Sequence, residues 1–172
     1  MPATPFDVAQ VEVLRGPHGT TYGANALAGL VNVATRRASR ETEARLELTA
    51  GDYGTRSAGA VFGGALGERA AGRFVAQRFR SDGFREYAFL RRDDTNGFDE
   101  TTLRGRLSLE PLDTLAVDLA ALWVDLDNGY DAWSIDNSLV TRSDRPGRDA
   151  QRSDGAALQL SLPTAAGELR SL

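Results

Sequence analysis

The chain has no cysteine, which excludes a disulfide framework, a zinc ribbon and a thiol nucleophile and leaves the redox compartment open. Lysine is absent too, and all 20 cationic residues are arginine. That removes a phosphate-binding P-loop, a Schiff-base lysine and every other mechanism that needs an amine side chain. With His18 the only histidine, no His, Cys and carboxylate cluster has zinc spacing, and no Ser–His–Asp set can be assembled. Neither a metal nor a cofactor is therefore expected. No stretch approaches the roughly 20 apolar residues of a transmembrane helix. The opening MPATPFDVAQ lacks the charged start and apolar run of a signal peptide. A net charge of -4, with the arginines outnumbered by acidic residues, argues against disorder and against a nucleic-acid-binding surface.

What is present changes character near residue 40. Before it lie two short apolar runs, Val11 to Leu14 and Leu30 to Ala34, both rich in β-branched residues and bounded by Gly or Pro, as strands are. A Gly-rich stretch holding Gly16, Gly19, Gly23 and Gly29 separates them, and ANALAG within it is long enough for one helical turn. From Glu43 onward the apolar residues alternate with polar ones. Ala44, Leu46, Leu48 and Ala50 share one face, against Glu43, Arg45, Glu47 and Thr49. Leu103, Gly105, Leu107 and Leu109 oppose Thr102, Arg104, Arg106 and Ser108. Leu115 to Trp123 and Ala156 to Leu162 carry similar stripes, and Arg56 to Ala65 and Ala70 to Ser81 alternate less cleanly. This predicts about six strands, most near the roughly 9–11 residues that span an outer membrane.

The connections are uneven. GDYGT, LGER, PLD and PTAAGE are short, whereas Asp82 to Thr101 and Asp125 to Asp154 are long and polar. Apart from GDYGT, short and long alternate, which suits a barrel with tight turns at one rim and free loops at the other. A soluble antiparallel sheet, with one face on a core and one in water, predicts the same alternation. Periodicity alone leaves both open.

The segment Val11 to Arg37, VEVLRGPHGTTYGANALAGLVNVATRR, bears on the choice. It resembles the end of the plug domain of TonB-dependent outer-membrane receptors, with Val11, Glu12, Val13, Leu14, Arg15, Gly16, Pro17, Gly19, Tyr22, Gly23, Ala26, Gly29, Val31, Asn32, Val33, Thr35 and Arg36 all in register and without a gap. His18 stands where an amide-bearing residue is usual, and Thr21 where Leu is common. GDYGT and SDGF further resemble the first hairpins of the family's barrels.

The resemblance implies an all-β fold: the C-terminal part of a small α+β plug over residues 1–40, then the first six or so strands of a truncated transmembrane barrel, an up-and-down meander, over 41–172. It implies a parent importer in the outer membrane of a Gram-negative bacterium, taking up a ferric siderophore, cobalamin or a glycan. Its partners would be membrane lipid and the TonB complex, although the TonB-engaging motif is not in this sequence; nucleic acid is not among them. No covalent chemistry is implied, so an enzyme is not expected.

Within the plug pattern, Glu12, Arg15, Gly16, Pro17, Gly19, Tyr22, Gly23, Gly29 and Asn32 are the candidate structural or gating residues. Gly19 and Gly23 are expected to adopt conformations closed to residues with a β-carbon. Glu12 and Arg15, three apart in a strand, should point to opposite faces. Arg45, Arg104 and Arg106 share polar strand faces and would line a lumen, facing an anionic chelate or plug carboxylates.

Tyr130 and Trp133 in one long loop, and Phe84, Tyr87, Phe89 and Phe98 around the other, would receive a ligand, form an interface girdle or simply pack. Asp125, Asp127, Asp131 and Asp136 mimic a calcium loop, but Tyr130 replaces its Gly and Asp136 its last Glu, which favours a solvated acidic loop. Two rivals stand beside this reading. One is a soluble β-rich binding module or adhesin; the other is a hydrolase using carboxylates such as Asp99 and Glu100.

Overall fold

A computed structural model describes residues 6–23, 26–130, 134, 136, 138–164 and 167–171. The chain divides into two compact units, Pro5–Arg37 and the remainder beginning at Ala38.

The first unit is a hairpin. β1 (Val8–Arg15) pairs antiparallel with β2 (Gly29–Thr35), placing Glu12 opposite Asn32 and Arg15 opposite Gly29. Both apolar runs are strands, as expected. Between them a single helical turn, α1, forms at Gly19–Tyr22 rather than in ANALAG, whose described residues 26–28 are not helical. The turn closes with the Gly23 N–H donating to the Gly19 carbonyl at 3.1 Å.

The second unit is built on seven strands: β3 (Glu43–Ala50), β4 (Arg56–Gly67), β5 (Ala70–Ser81), β8 (Phe98–Leu112), β9 (Leu115–Tyr130), β11 (Gly147–Thr164) and β12 (Gly167–Ser171). They form one antiparallel sheet in the order β12-β11-β9-β8-β5-β4-β3. Strands adjacent in this sheet are successive along its path, so it is an up-and-down meander, open at β3 and β12 and forming no closed barrel.

Three strands are much longer than alternation predicts. β8, β9 and β11 hold 15, 16 and 18 residues, against roughly 9–11 needed to cross an outer membrane. The extensions are polar, with alternation in charge rather than in hydropathy, which is why the sequence reads there as loop. β12 is a seventh strand, one more than the roughly six that alternation predicts.

The stretches left between these strands are not free loops. β6 (Arg85–Tyr87), β7 (Arg92–Thr95) and β10 (Val140–Thr141) form a three-stranded sheet in the order β10-β6-β7. β10 runs parallel to β6 and ties one long connection to the other, through Glu86 N–H to the Leu139 carbonyl and Ala88 N–H to the Thr141 carbonyl, both 3.0 Å. Tyr87 and Thr141 are its fully buried side chains, and the Tyr87 hydroxyl donates to the Arg145 carbonyl at 3.2 Å. Gly83, at φ +91, starts this module where a β-carbon would lie 1.9 Å from the Thr95 carbonyl oxygen.

GDYGT lies at the same sheet end as both long connections, so the alternation of rims has no exception; the first loop on that rim is merely short. Its Tyr53 ring meets Phe84 edge-on, with centroids 6.2 Å apart, and its carbonyl accepts from the Asp82 N–H at 2.9 Å. GDYGT and SDGF are thus one contact made by two distant pieces of chain.

Candidate functional site

Strand register decides what the alternating side chains share. Across β3, β4, β5 and β8, Arg45 faces Val61, then Val75, then Arg104. One step along, Glu43 faces Gly63, Arg73 and Arg106 in turn. Arg45, Arg104 and Arg106 therefore do lie on one face of the sheet. They are joined there by Arg73, which the sequence reading missed. Arg78 and Arg80, on the opposite face of the same strand, blur the alternation of AAGRFVAQRFRS; counting in twos from Val75 recovers Arg73.

This face, which mixes these polar groups with Val61, Val75, Val124 and Leu126, is the buried one. Arg73 is 6 % exposed, Glu100 3 % and Thr102 8 %. Arg73 donates to the Glu43 carboxylate at 2.8 Å, a charge-assisted bond that offsets the desolvation of its guanidinium. Further along, Asn128 donates to Glu100 at 2.8 Å and accepts from the Asp99 N–H at 3.1 Å, and Ser108 donates to Asp118 at 2.5 Å.

The apolar face is the exposed one. Leu46 is 70 % exposed, Leu48 71 %, Phe62 66 % and Phe74 52 %. A protein folding in water does the reverse, because burying charge costs and exposing contiguous apolar area forfeits the hydrophobic term.

At the end bearing the long connections, arginine and aspartate alternate around a polar cleft of about 520 Å³, lined among others by Arg80, Arg92, Asp94, Asp99, Asp127 and Arg148. Arg148 clasps Asp127 through two bonds of 2.6 and 2.8 Å, and Arg152 reaches Asp125 at 2.9 Å. Both aspartates stand on strand β9 with an arginine partner, rather than in a loop turned around an ion. Asp131 lies outside the described residues, and Asp136 accepts the Ser138 N–H at 3.1 Å. Asp99 and Glu100 also part company: Asp99 pairs with Arg78 and Arg80 on the exposed face, and Glu100 turns to Asn128 on the other.

Arg92 donates twice to Asp94, at 2.8 and 3.1 Å, and this hydrogen bonding holds the Asp94 carboxyl below its usual range. A depressed carboxylate contributes stability above its unfolded pKa and loses it as pH falls through the folded one. The Asp94 titration, followed by carbon NMR, should therefore have its midpoint below about 3.9. In Arg92→Gln it should move back up toward that value; an unmoved midpoint would mean that the pair does not form in solution.

The aromatic residues separate. Tyr87 is sealed in the small sheet and unavailable to a ligand, and Phe98 packs edge-on against Phe79 with centroids 6.0 Å apart. Tyr130 is exposed at the end of β9, as is Phe89 in its connection; Trp133 lies outside the described residues.

In the hairpin unit, Glu12 accepts from Asn32 and from Gln10, each at 2.8 Å, so both carboxylate oxygens are held. Arg15 is at the strand end opposite Gly29, where a β-carbon would lie 2.6 Å from the Leu14 carbonyl. Gly16 donates to the Ala28 carbonyl at 3.0 Å, and Pro17 follows it out of the strand. Gly23 has φ +96, as expected; Gly19 does not have a positive φ, and has open space where a β-carbon would sit, so no local conformation demands glycine there. Tyr22, on α1, is half exposed.

No protein-family model matches the chain. Vitamin B12 transporter BtuB of Vibrio vulnificus (strain YJ016) is 30 % identical over 125 residues, 73 % of this chain and 20 % of the relative. Vitamin B12 transporter BtuB of Photobacterium profundum is 24 % identical over 124 residues, 72 % of this chain and again 20 % of the relative. The chain thus spans only 20 % of these relatives.

Among solved structures, the ferric yersiniabactin uptake receptor FyuA from Yersinia pestis superposes with a TM-score of 0.80 at 22 % identity, over 92 % of this chain and 26 % of the receptor. The ferripyoverdine receptor of the Pseudomonas aeruginosa outer membrane gives a TM-score of 0.73 at 18 % identity, over 93 % of this chain and 23 % of that one. These two establish the fold, and the gap-free pattern from Val11 to Arg37 agrees with it. The chain belongs to the TonB-dependent receptors.

Proposed function

We propose that residues 1–40 are the end of a plug and residues 41–172 the opening strands of a barrel wall in a Gram-negative outer membrane. The parent receptor would carry a scarce solute inward when the TonB complex acts on its plug. The observation that carries this reading is the exposure of a whole apolar sheet face, with leucine and phenylalanine outside, while Arg73 and Glu100 are buried on the other face beside Val61, Val75, Val124 and Leu126. Lipid is the solvent that makes such an arrangement favourable. On this reading Arg45, Arg73, Arg104 and Arg106 line the lumen, and Glu12, Arg15, Gly16, Pro17, Gly19, Tyr22, Gly23, Gly29 and Asn32 shape the plug. The arginines suit an anionic ferric chelate, the solute class named for the fold relatives; cobalamin is second, on the names of the sequence relatives. Nothing in the reading calls for catalysis.

A chimera tests it. The matching segment of a BtuB receptor is replaced by residues 8–171, and TonB-dependent cobalamin uptake is measured in a strain lacking its own receptor. Insertion in the outer membrane with TonB-dependent uptake is expected. An exported chimera recovered soluble from the periplasm would sink the barrel assignment.

A further inference from the structure

We propose that the two long connections form one rigid turret, fixed to the seven-stranded sheet, that keeps its shape while solute passes. Constancy during passage rests on the transport reading above; the rigidity itself does not.

The chain crosses between the two sheets four times, and a glycine stands at each crossing: Gly83 after β5, Gly97 before β8, Gly129 near the end of β9 and Gly147 at the start of β11. Only Gly83 of the four has a positive φ. At the other three, close approach of main chain rather than conformation calls for glycine. A β-carbon on Gly83 would lie 1.9 Å from the Thr95 carbonyl oxygen, and one on Gly97 2.8 Å from that of Ser81. On Gly129 it would lie 3.0 Å from the Gly97 nitrogen, and on Gly147 2.0 Å from the Tyr130 carbonyl oxygen. Each glycine thus rests on the backbone of a different crossing. Together they make a collar of main chain, with the Gly129 N–H donating to the Gly97 carbonyl at 2.8 Å.

A hinge needs residues whose φ and ψ can change without collision. Rotation at this collar would drive backbone into backbone, which cannot step aside as the tip of a side chain can. Beyond the collar the connections are joined a second time, by the pairing of β10 with β6 and by the buried Tyr87 and Thr141. Two separate attachments leave no axis about which one connection can swing without the other. A mobile lid is built the other way, with few buried contacts and a loose neck. This part of the rim is therefore a wall: its face is set before solute arrives, and no binding energy goes into ordering it.

The chain has no cysteine, so introduced ones are unique. Spin labels are placed on the full chain, refolded into phosphatidylcholine vesicles, at Phe89→Cys and separately at Asp144→Cys. Each is paired with Ala121→Cys in the middle of β9, and Ala121→Cys with Leu48→Cys on β3 is the reference pair; all four positions are exposed. Electron double-resonance distances to both turret positions should form single distributions no wider than the reference. Gly129→Ala, whose methyl meets the Gly97 nitrogen, should widen both and leave the reference as it was. Two populations or a broad one at either turret position of the parent chain overturns the rigid turret, as does a Gly129→Ala chain with unchanged widths.

Passage is tested in a cysteine-free version of the chimera carrying Glu86→Cys and Val140→Cys. These are partners on β6 and β10. Adjacent strands lie roughly 4.8 Å apart, within the reach of a disulfide. The oxidised chimera should take up cobalamin at the same rate as its reduced form. Loss of uptake on oxidation, restored by reductant, overturns a turret that stays in one shape, and so does failure of the bond to form. Absence of uptake in both forms, with narrow label distances, sinks the transport reading and supports the rigid turret.

Discussion

Phe74→Arg is expected to destabilise the chain in a bilayer by roughly 2–4 kcal/mol, the cost of a cationic side chain on the lipid face of a barrel near the membrane midplane. Phe74 is half exposed, opposite Phe62 on one side and Gly105 on the other, in the middle of the apolar face. The same change in water would remove an exposed ring and improve solubility. Lipid and water therefore predict effects of opposite sign from one substitution. Urea unfolding from vesicles, compared with Phe74→Leu as the apolar control, measures it. An unshifted midpoint would place this face in water and remove the main support for the barrel reading.

Tyr87→Ala should open the three-stranded sheet that joins the two long connections. Removal of a fully buried aromatic side chain costs about 3–5 kcal/mol, and here it also removes the hydroxyl donor to the Arg145 carbonyl. The sheet holds only three short strands, so that loss should exceed its local stability without unfolding the seven-stranded sheet. Hydrogen exchange should show it: the Glu86 and Ala88 amides, bonded to the Leu139 and Thr141 carbonyls, lose protection. Amides in the β4–β5 ladder keep theirs. Tyr87→Phe, which keeps the ring, should cost only about 1 kcal/mol. Equal protection of Glu86 in Tyr87→Ala would mean that the two connections are held together by something other than this buried ring.

The two effects come from opposite kinds of information. Phe74 is one of the residues whose face is legible from its neighbours, once Arg73 and Val75 are counted to the other side. Tyr87 reads in the sequence as one of several loop aromatics available to a ligand. Only the parallel pairing of Val140 and Thr141 with Glu86 and Tyr87, from a connection far along the chain, shows that it is core. The polar extensions of β8, β9 and β11 are hidden for a similar reason. Arg148 opposite Gly129 and Arg152 opposite Asp125 become strand residues by cross-strand hydrogen bonding, not by any apolar stripe of their own.

What the sequence determined by itself was the kind of protein. The pattern from Val11 to Arg37 and the alternation from Glu43 onward are local features, each carried by residues a few positions apart. Solvation and the strand's period of two suffice to read the alternation, whereas the first pattern is read by its resemblance to a known family. The tertiary structure decided which strands pair, how far they run, and which arginines meet. Those depend on hydrogen bonds between residues tens of positions apart, and a period of two gives the face of a side chain but never its neighbour. Hence Arg45, Arg104 and Arg106 could be assigned to a polar face in advance, whereas Arg73 joined them, and Arg56, Arg78 and Arg80 gathered on the other side, only through the register of the sheet.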